Sequence, residues 1–359
     1  MINVTKTYLP PFEEYTAILK RAWDKSWITN NGELVQELEA SLKQYLGVEH
    51  LLFTGNGTIV LQMALKALNI TKEVITTPFS YVATTNAILW EGCQPVFVDV
   101  DAQTLCIDAR KIEAAITKDT QAILATHVYG LPCDVEAIEA IAKKHGLKVI
   151  YDGAHAFGVR YKGKSLLSYG DISTCSFHAT KIFHTGEGGC IICKDGSLAD
   201  TLSLYRSFGH KGDDYYSVGI NGKNSELHAA MGLAMLPKME GITNDRKMVS
   251  ETYDKLLTGI VQKPHYSARD FKYNFSYYPV IFKSERELLE VREGLANTQV
   301  NTRRYFYPSL NTVPQLTGAK QCCPVSEDMS ARVLCLPLYA GLMEEEIDMI
   351  CTTIKNILS

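Results

Sequence analysis

The sequence predicts an α/β protein with a large, mixed but mostly parallel sheet domain and a smaller α+β domain toward the C-terminus. Two observations lead to this fold class. Between about residues 50 and 195, short β-branched segments alternate with helical segments of about ten residues, a pattern typical of parallel strands covered by helices. The chain also has 359 residues, more than one hydrophobic core usually holds, so we expect two domains.

The alternating region divides into elements that each have their own residue pattern. In chain order these are helix TIVLQMALKAL, strand EVITT, helix VATTNAILW, strand PVFVDV, helix DARKIEAAI, strand QAILATHV, helix DVEAIEAIAKKH and strand KVIYD. The segments ISTCSF and GGCIIC predict further strands. Ligands of such sheets collect at the carboxyl ends of the strands, which is where KVIYD delivers Asp152.

Beyond the sheet region, the sequence predicts a change of architecture. SELHAAMGLAMLPKM reads as an amphipathic helix, and ITNDRKMVSETYDKLL as a long helix that leaves the large domain. FSYYPVIF, SERELLEVREGL and EEEIDMICTTIKNIL then mix strand and helix patterns. We therefore expect a large domain over residues 20–240, a small domain over 241–359, and an N-terminal arm, residues 1–19, packed near the small domain.

Composition excludes several function classes. A net charge of −4 provides no basic field, so nucleic acid is not expected as a partner. The N-terminus lacks a signal-peptide layout and no apolar run has membrane-spanning length, so we expect a cytoplasmic protein without membrane contact. The ten cysteines are interpreted as buried, reduced thiols. Cys190 and Cys193 form a CxxC without a second ligand pair, so no metal site is expected.

Two residues suggest covalent chemistry. Asp152 follows an apolar strand, and Lys181 lies between the apolar segment ISTCSF and the glycine-rich turn TGEGG. A desolvated lysine can lose its proton and attack a carbonyl, and a fixed carboxylate can pair with the protonated ring nitrogen of pyridoxal phosphate (PLP). A capping carboxylate and a solvated lysine are the simpler interpretation. The residues by themselves leave both open.

A phosphate site is predicted at the start of the first helix of this region. Gly57, Thr58 and Ile59 follow a glycine-bearing turn, where free N–H groups and the helix dipole favour an anion. The same string also describes an ordinary loop and helix cap. Ser176 could add a hydroxyl to the phosphate, or it could be a satisfied strand serine.

Two rings could contact the cofactor. Tyr81 follows a strand and a proline turn, so it could stack on a pyridine ring, although aromatic residues at such positions are commonly core residues. His155 could hydrogen-bond the ring oxygen or lie over the ring face, or it could be a satisfied loop histidine.

Several motifs together resemble a known family. DGAHAFG, SFHATKIFHTGEGG and VGINGKNSELHAAMG, with WITNNGE near the start and LPLYAGLMEEEIDMI near the end, resemble the DegT/DnrJ/EryC1/StrS family of sugar aminotransferases. The resemblance covers residues 5–357. It implies PLP as cofactor and the fold of the PLP-dependent transferases of fold type I, to which aspartate aminotransferase belongs.

The resemblance implies a role for each candidate. Lys181 matches the lysine that bonds to the cofactor and later moves the proton, and Asp152 matches the partner of the ring nitrogen. His155 matches the contact to the ring hydroxyl. Thr58 and Ile59 match the backbone phosphate site, although this chain has Gly-Asn-Gly-Thr where the family more often has Ser-Gly-Thr.

The remaining candidates concern the second subunit and the substrate. The resemblance implies that Ser176 binds phosphate, that Tyr81 stacks on the ring, and that Asn221 reaches the phosphate from the neighbouring subunit of a homodimer with shared active sites. Residues in variable loops or near a diphosphate are expected to contact the substrate; these are Thr29, Asn30, His178, Lys223 and Tyr307.

The implied reaction moves an amino group from L-glutamate to a nucleotide-linked keto-deoxysugar. PFSYVATTNAILWEG and HVYGLPCDVEAIEAIAKKHGLKVIYD are most like members that convert dTDP-4-keto-6-deoxyglucose to dTDP-4-amino-4,6-dideoxyglucose. A 3-keto sugar nucleotide is the alternative acceptor within the family.

Three other functions predict different sequence features. Related sugar dehydratases replace the lysine with histidine, whereas this chain keeps Lys181. A non-catalytic regulator or binding protein would be expected to lack Lys181 or Asp152, or to add a helix-turn-helix segment. A nicotinamide oxidoreductase would be expected to carry GxGxxG after an early strand.

Overall fold

The computed structural model of the chain describes residues 1–266, 270–316 and 321–359. These residues contain sixteen strands and twelve α-helices. The strands are β1 (Ile2–Asn3), β2 (His50–Thr54), β3 (Glu73–Thr76), β4 (Gln94–Phe97), β5 (Thr120–Thr126), β6 (Lys148–Asp152), β7 (Arg160–Tyr161), β8 (Lys164–Ser165), β9 (Ile172–Ser176), β10 (Gly189–Cys193), β11 (His210–Lys211), β12 (Asp214–Tyr215), β13 (Phe271–Lys272), β14 (Tyr278–Ile281), β15 (Val300–Asn301) and β16 (Val333–Leu336). The helices are α1 (Phe12–Asp24), α2 (Glu33–Leu46), α3 (Gly57–Ala67), α4 (Val82–Trp90), α5 (Ala109–Ile112), α6 (Val135–His145), α7 (Gly196–Arg206), α8 (Glu226–Met235), α9 (Met239–Leu257), α10 (Glu285–Asn297), α11 (Pro324–Arg332) and α12 (Glu344–Leu358).

The centre of the molecule is a seven-stranded sheet with the order β2-β10-β9-β6-β5-β3-β4. Strand β10 runs antiparallel to both of its neighbours, and all the other pairings are parallel. The predicted fold class, a large and mostly parallel mixed sheet, is confirmed. Strands β9, β6, β5, β3 and β4 therefore direct their carboxyl ends to one edge of the sheet. Strand β2, on the other side of β10, has the same direction as these five.

Local sequence explains where the elements begin and end. Strand β6 is buried at all but its first position, because helices cover both faces of the sheet and leave its apolar residues no contact with water. Helix α6 begins after Asp134, whose carboxylate accepts the N–H of Ala137, and ends at Gly146 in the left-handed conformation. The helix VATTNAILW and the strand KVIYD have the predicted bounds.

A second hydrophobic cluster lies toward the C-terminus. Its members come from α9, α10 and α12 and from the antiparallel pair β14 and β16; they include Tyr253, Val280, Leu295, Leu334 and Ile350. Helix α9 belongs to both clusters, because Met239 and Ile242 pack in the large one and Val249 in the second. We retain a domain boundary near residue 240 as a proposal.

The N-terminal arm links this C-terminal region to the lysine-bearing loop. Strand β1 pairs in parallel with β15, and the N–H of Leu338 donates to the carbonyl of Val4. Further along, the hydroxyl of Thr7 donates to the carbonyl of Ala179 at 3.0 Å. The arm therefore holds the segment that leads to Lys181.

The cysteines follow the hydrophobic layers of the fold. Nine of the ten are buried and Cys322 is exposed. Cys190 and Cys193 lie three positions apart on β10, so they face opposite sides of the sheet and belong to different clusters. Within the described residues, no group of three or more potential metal ligands is present. The helices of this same part of the chain include none long and apolar enough to cross a membrane.

Candidate active site

A cavity of about 320 Å³ opens at the carboxyl edge of the sheet. Three parallel strands end there, and each delivers one polar side chain: Thr126 from β5, Asp152 from β6 and Ser176 from β9. Parallel strands place their carboxyl ends together, which explains why residues far apart in sequence meet at this edge. Lys181 enters the same cavity from the loop after β9.

Eight of the predicted site residues line this cavity. They are Gly57, Thr58, Tyr81, Asp152, His155, Ser176, His178 and Lys181. The structure thus brings together the predicted imine-forming lysine, the predicted carboxylate and the predicted anion-binding turn.

Asp152 is buried and held in one orientation. One carboxylate oxygen, Oδ2, accepts the hydroxyl of Thr84 at 2.7 Å, and Oδ1 accepts the backbone N–H of Ala154 at 3.0 Å. Asp152 is 7% exposed and Thr84 is fully buried. A buried carboxylate with two fixed donors keeps lone pairs directed at the cavity, where a cationic group can meet them.

Lys181 is partly buried beside two polar groups. Its backbone N–H donates to the carbonyl of His178 at 2.8 Å, and its Nζ lies 3.4 Å from the hydroxyl oxygen of Tyr277. Burial disfavours the ammonium form, but the neighbouring Tyr277 and Asp152 favour it more strongly and hold the pKa of Lys181 above its ordinary value. A partner that engages Asp152 would weaken that effect and make the amine easier to deprotonate.

His155 is buried and lines the cavity. Its Nδ1 accepts the backbone N–H of Tyr129 at 3.1 Å, so the proton of the neutral ring is assigned to Nε2. Burial and the nearby Lys181 lower the pKa of His155 well below its ordinary value. The ring stacks nearly parallel to that of Phe306, with centroids 5.7 Å apart.

The turn that is predicted to bind an anion is closely packed. A Cβ placed on Gly57 would lie 2.7 Å from Cβ of Ser176, so the turn approaches β9 closely only because residue 57 has no side chain. The N–H groups of Thr58 and Ile59 donate to the side-chain oxygen of Asn56 at 3.0 and 2.9 Å. An anion that used these two donors would have to displace the Asn56 carboxamide.

Six predicted residues lie outside the cavity lining: Ile59, Asn221, Thr29, Asn30, Lys223 and Tyr307. The Lys223 ammonium lies 4.5 Å from the centre of the Phe208 ring, and Asn221 is exposed beside Ser207.

Ile59 lies in the first turn of α3, whereas Thr29, Asn30 and Tyr307 are in exposed loops. Thr29 and Asn30 belong to a loop whose Ile28 carbonyl accepts the N–H of Glu226 at 3.0 Å. The ring of Tyr307 packs under the guanidinium of Arg304.

Sequence reasoning missed part of the cavity. Its wall also includes Thr126, Glu187, Tyr277, Arg303 and Tyr305. Tyr277 lies in FSYYPVIF, which reads only as a strand of the small domain, and no local motif marks the others. Arg303 lies in the loop 303–308, in which only Tyr307 was predicted to contact the substrate.

The fold is α/β, and its site places a lysine, a buried carboxylate and the predicted anion-binding turn at one sheet edge. A model of the DegT/DnrJ/EryC1/StrS aminotransferase family matches residues 12–355. The chain belongs to this family, and it is an aminotransferase. The family resemblance predicted from the motifs is confirmed.

Individual relatives agree with this assignment. The chain is 41% identical to dTDP-4-amino-4,6-dideoxy-D-glucose transaminase from Shigella dysenteriae, over 99% of both chains. It is 34% identical to GDP-perosamine synthase from Escherichia coli O157:H7, over 94% of this chain and 93% of the relative. Among solved structures, DesI, crystallised in the presence of its TDP-sugar product, superimposes with a TM-score of 0.93 at 31% identity, covering 99% of this chain and 92% of DesI.

Proposed function

We propose that the chain is a PLP-dependent aminotransferase that moves an amino group from L-glutamate to dTDP-4-keto-6-deoxyglucose, giving dTDP-4-amino-4,6-dideoxyglucose. The observation that carries the proposal is the convergence of Lys181, Asp152 and the α3 turn in one cavity. The 41% identity to the Shigella transaminase supports the choice of acceptor. The cytoplasmic location expected from the sequence remains part of the proposal.

The residues of the cavity fit PLP. Asp152 would hold the ring nitrogen, because its carboxylate is fixed by Thr84 and Ala154 and faces the cavity. Ser176 and the first turn of α3 would hold the phosphate, in the cradle that a side chain at Gly57 would fill. When bound, PLP supplies an electron-accepting ring that stabilises negative charge on the carbon from which a proton is removed.

The chain's own groups would then position the substrates and move protons. Lys181 Nζ takes the proton from the α-carbon of glutamate, and in the second half of the reaction it delivers a proton to the sugar carbon that receives the amine. The Nε2–H of His155 would donate a hydrogen bond to the ring oxygen of the cofactor and help to orient it. The exposed Tyr81 ring covers one side of the cavity mouth.

Positive charge at the cavity suits an anionic substrate. Arg303 lines the cavity, and no carboxylate among the described residues pairs with it. Its guanidinium lies 5.6 Å from the centre of the Tyr305 ring, which leaves its N–H donors available. We propose that it binds a carboxylate of glutamate or a phosphate of the sugar nucleotide, and that Lys223, which lies outside the cavity lining, also contacts the substrate.

A homodimer with shared active sites completes the proposal. The segment around β11 and β12 exposes the apolar side chains of Tyr215, Tyr216, Val218 and Ile220, which a partner subunit would cover. Asn221 follows directly and is exposed as well, so it is available to the site of a second subunit.

An absorbance titration tests the function. The PLP-loaded protein should show a visible band that falls when L-glutamate is added and returns with dTDP-4-keto-6-deoxyglucose. A band that responds to glutamate but returns only with a GDP-linked or a 3-keto sugar would keep the aminotransferase and replace the acceptor. A protein that takes up no PLP would overturn the cofactor assignment and favour a binding protein.

A further inference from the structure

A buried tyrosine from outside the sheet domain faces the catalytic lysine. The hydroxyl oxygen of Tyr277 lies 3.4 Å from Lys181 Nζ, and the tyrosine is 9% exposed. Tyr277 immediately precedes β14, which pairs with β16 in the C-terminal region. The cavity therefore receives this hydroxyl from a different part of the fold than Lys181.

The segment before Tyr277 is tied to the loop that carries His155. The Asn274 carboxamide donates to the carbonyls of His155 and Phe157 at 2.8 and 2.9 Å, and the Ser276 hydroxyl donates to the carbonyl of His155 at 2.7 Å. Asn274 is 2% exposed and Ser276 6%. Three buried hydrogen bonds thus fix the backbone of this segment against the loop after β6.

A buried arginine fixes the same segment from its other side. The Arg246 guanidinium, on α9, donates to the carbonyls of Phe275 and Ser276 at 2.8 and 2.5 Å. No carboxylate of the described residues forms an ion pair with it, and burial lowers the pKa of Arg246 to about 10. A buried guanidinium is unfavourable unless its N–H groups are bonded, so these two hydrogen bonds tie the backbone of Phe275 and Ser276 to α9.

Aromatic packing fixes the ring itself. The Tyr277 ring meets the His155 ring at 4.7 Å and an interplanar angle of 60°, and the Tyr305 ring at 5.5 Å and 78°. These edge-to-face contacts restrict rotation of the tyrosine. The hydroxyl is therefore presented to Lys181 in a single direction.

We propose that Tyr277 is a positioning residue that orients the free amine of Lys181 by accepting a hydrogen bond from one of its N–H groups. This inference rests on the proposed aminotransferase function. A free amine has two N–H bonds and one lone pair, so a hydrogen bond to one N–H restricts rotation about Cε–Nζ and directs the lone pair at the carbon that loses its proton. The proton moves from carbon to Nζ and back to carbon, while the Tyr277 hydroxyl stays neutral and keeps its own proton.

The variant Tyr277→Phe tests this role, with Tyr278→Phe as its matched control. The Tyr278 hydroxyl bonds to Asp254 at 2.6 Å, away from the cavity. In single-turnover reactions with glutamate, Tyr277→Phe should react roughly tenfold to a hundredfold more slowly, because the amine is misaligned. The KM for glutamate, measured in the steady state, should change little. The kinetic isotope effect, which is the rate with hydrogen on the α-carbon of glutamate divided by the rate with deuterium there, should rise. Tyr278→Phe should match the wild type in each of these measurements.

A second readout does not depend on turnover. In the cofactor-free full-length protein, the rate of reductive methylation of Lys181 is followed against pH by peptide mass spectrometry. Loss of the hydroxyl removes an acceptor for the ammonium form, so the Tyr277→Phe profile should move to lower pH. If Tyr277→Phe has the same methylation profile and the same single-turnover rate as the wild type, the proposal is overturned and Tyr277 is a packing residue.

The two hypotheses fail in distinguishable ways. A wild-type protein that does not respond to glutamate would contradict the proposed function, and the methylation profile would still decide whether Tyr277 binds the amine. If the wild type reacts with glutamate and Tyr277→Phe reacts equally fast, only the proposed role of Tyr277 is contradicted. If Tyr277→Phe does not fold, Ser276→Ala loosens the same segment, and a smaller rate loss in the same direction is expected; an unchanged rate would overturn the proposal.

Discussion

The hydroxyl of Thr84, in the first turn of α4, donates to Oδ2 of Asp152 at the end of β6, at 2.7 Å. The two residues are 68 positions apart and both are buried. This bond joins the helix that begins after Tyr81 to the strand that carries the carboxylate. The orientation of the group proposed to hold the ring nitrogen therefore depends on a residue that is not among the predicted site residues.

Thr84→Val should weaken PLP binding about tenfold. The change keeps the shape of the side chain but removes a hydrogen bond to a carboxylate, which is worth about 1.5 kcal/mol. Equilibrium binding of PLP to the cofactor-free protein, followed by absorbance, measures the effect. Equal affinity in variant and wild type would show that Asp152 needs no such support.

The neighbouring Thr85 provides a control with the opposite expected result. Thr85 is also fully buried, but its hydroxyl has no hydrogen-bond partner among the described residues. Thr85→Val should leave PLP affinity unchanged and should keep or raise the free energy of unfolding, because an unpaired buried hydroxyl is unfavourable. Urea unfolding checks this, and a clear loss of stability would reveal a partner for the hydroxyl.

Gly57→Ala should impair phosphate binding through crowding. The new Cβ would lie 2.7 Å from Cβ of Ser176, so α3 or β9 must shift, at a cost of about 1–3 kcal/mol. Both PLP affinity and the unfolding midpoint should fall. Gly55→Ala is the matched control, since its Cβ would meet nothing closer than the Lys223 carbonyl oxygen at 3.9 Å. A Gly57→Ala protein as stable and as tightly loaded as the control would contradict the close approach.

Glu226 on α8 stabilises the start of α2. Its carboxylate accepts the N–H groups of Leu34 and Val35 at 2.7 and 3.2 Å, and the residue is 1% exposed. Glu226→Gln retains the shape but removes the negative charge at a helix N-terminus, so unfolding should become easier by about 1–2 kcal/mol. Thermal or urea unfolding measures the loss. Glu37→Gln, which removes an exposed ion pair with Arg21, should change stability by less than about 0.5 kcal/mol.

Stability should decrease on acidification because of a buried histidine. His127 is fully buried, and burial lowers its pKa to about 3 in the folded chain, against about 6.5 when unfolded. Between these values the unfolded chain binds the extra proton, so stability present above pH 6.5 is lost as the pH falls toward 3. The slope is about 1.4 kcal/mol per pH unit for this group. Urea unfolding between pH 7 and 5 tests it, and a flat profile would contradict a neutral His127.

Much of the fold was predictable because the covered parallel strands and their helices have strong local patterns. VATTNAILW and KVIYD gave the bounds of α4 and β6. The reversal of β10 has no such signal, because GGCIIC is apolar in either direction. The antiparallel direction depends on how the chain returns after the Lys181 loop, which is a property of tertiary structure.

The candidate site was predictable where function requires contiguous residues. Asp152 and His155 share one motif, and Lys181 follows Ser176 by five positions, so a single segment identifies each pair. Tyr277 reaches the cavity from a separate element, and Thr84 acts behind the cavity wall by fixing Asp152. No local sequence pattern marks either residue for its role. For the turn before α3 the sequence indicated a helix cap only as a general alternative to an anion site. It did not indicate that Asn56 accepts the amides of Thr58 and Ile59.

Transfer of labelled nitrogen tests the central claim most directly. The PLP-loaded protein is incubated with L-[15N]glutamate and dTDP-4-keto-6-deoxyglucose, and the sugar nucleotide is analysed by mass spectrometry and NMR. We predict one 15N atom bonded to C4 of the hexose and none with Lys181→Ala. A sugar nucleotide that stays unlabelled, while PLP is bound and Lys181 is intact, would contradict aminotransfer to this acceptor.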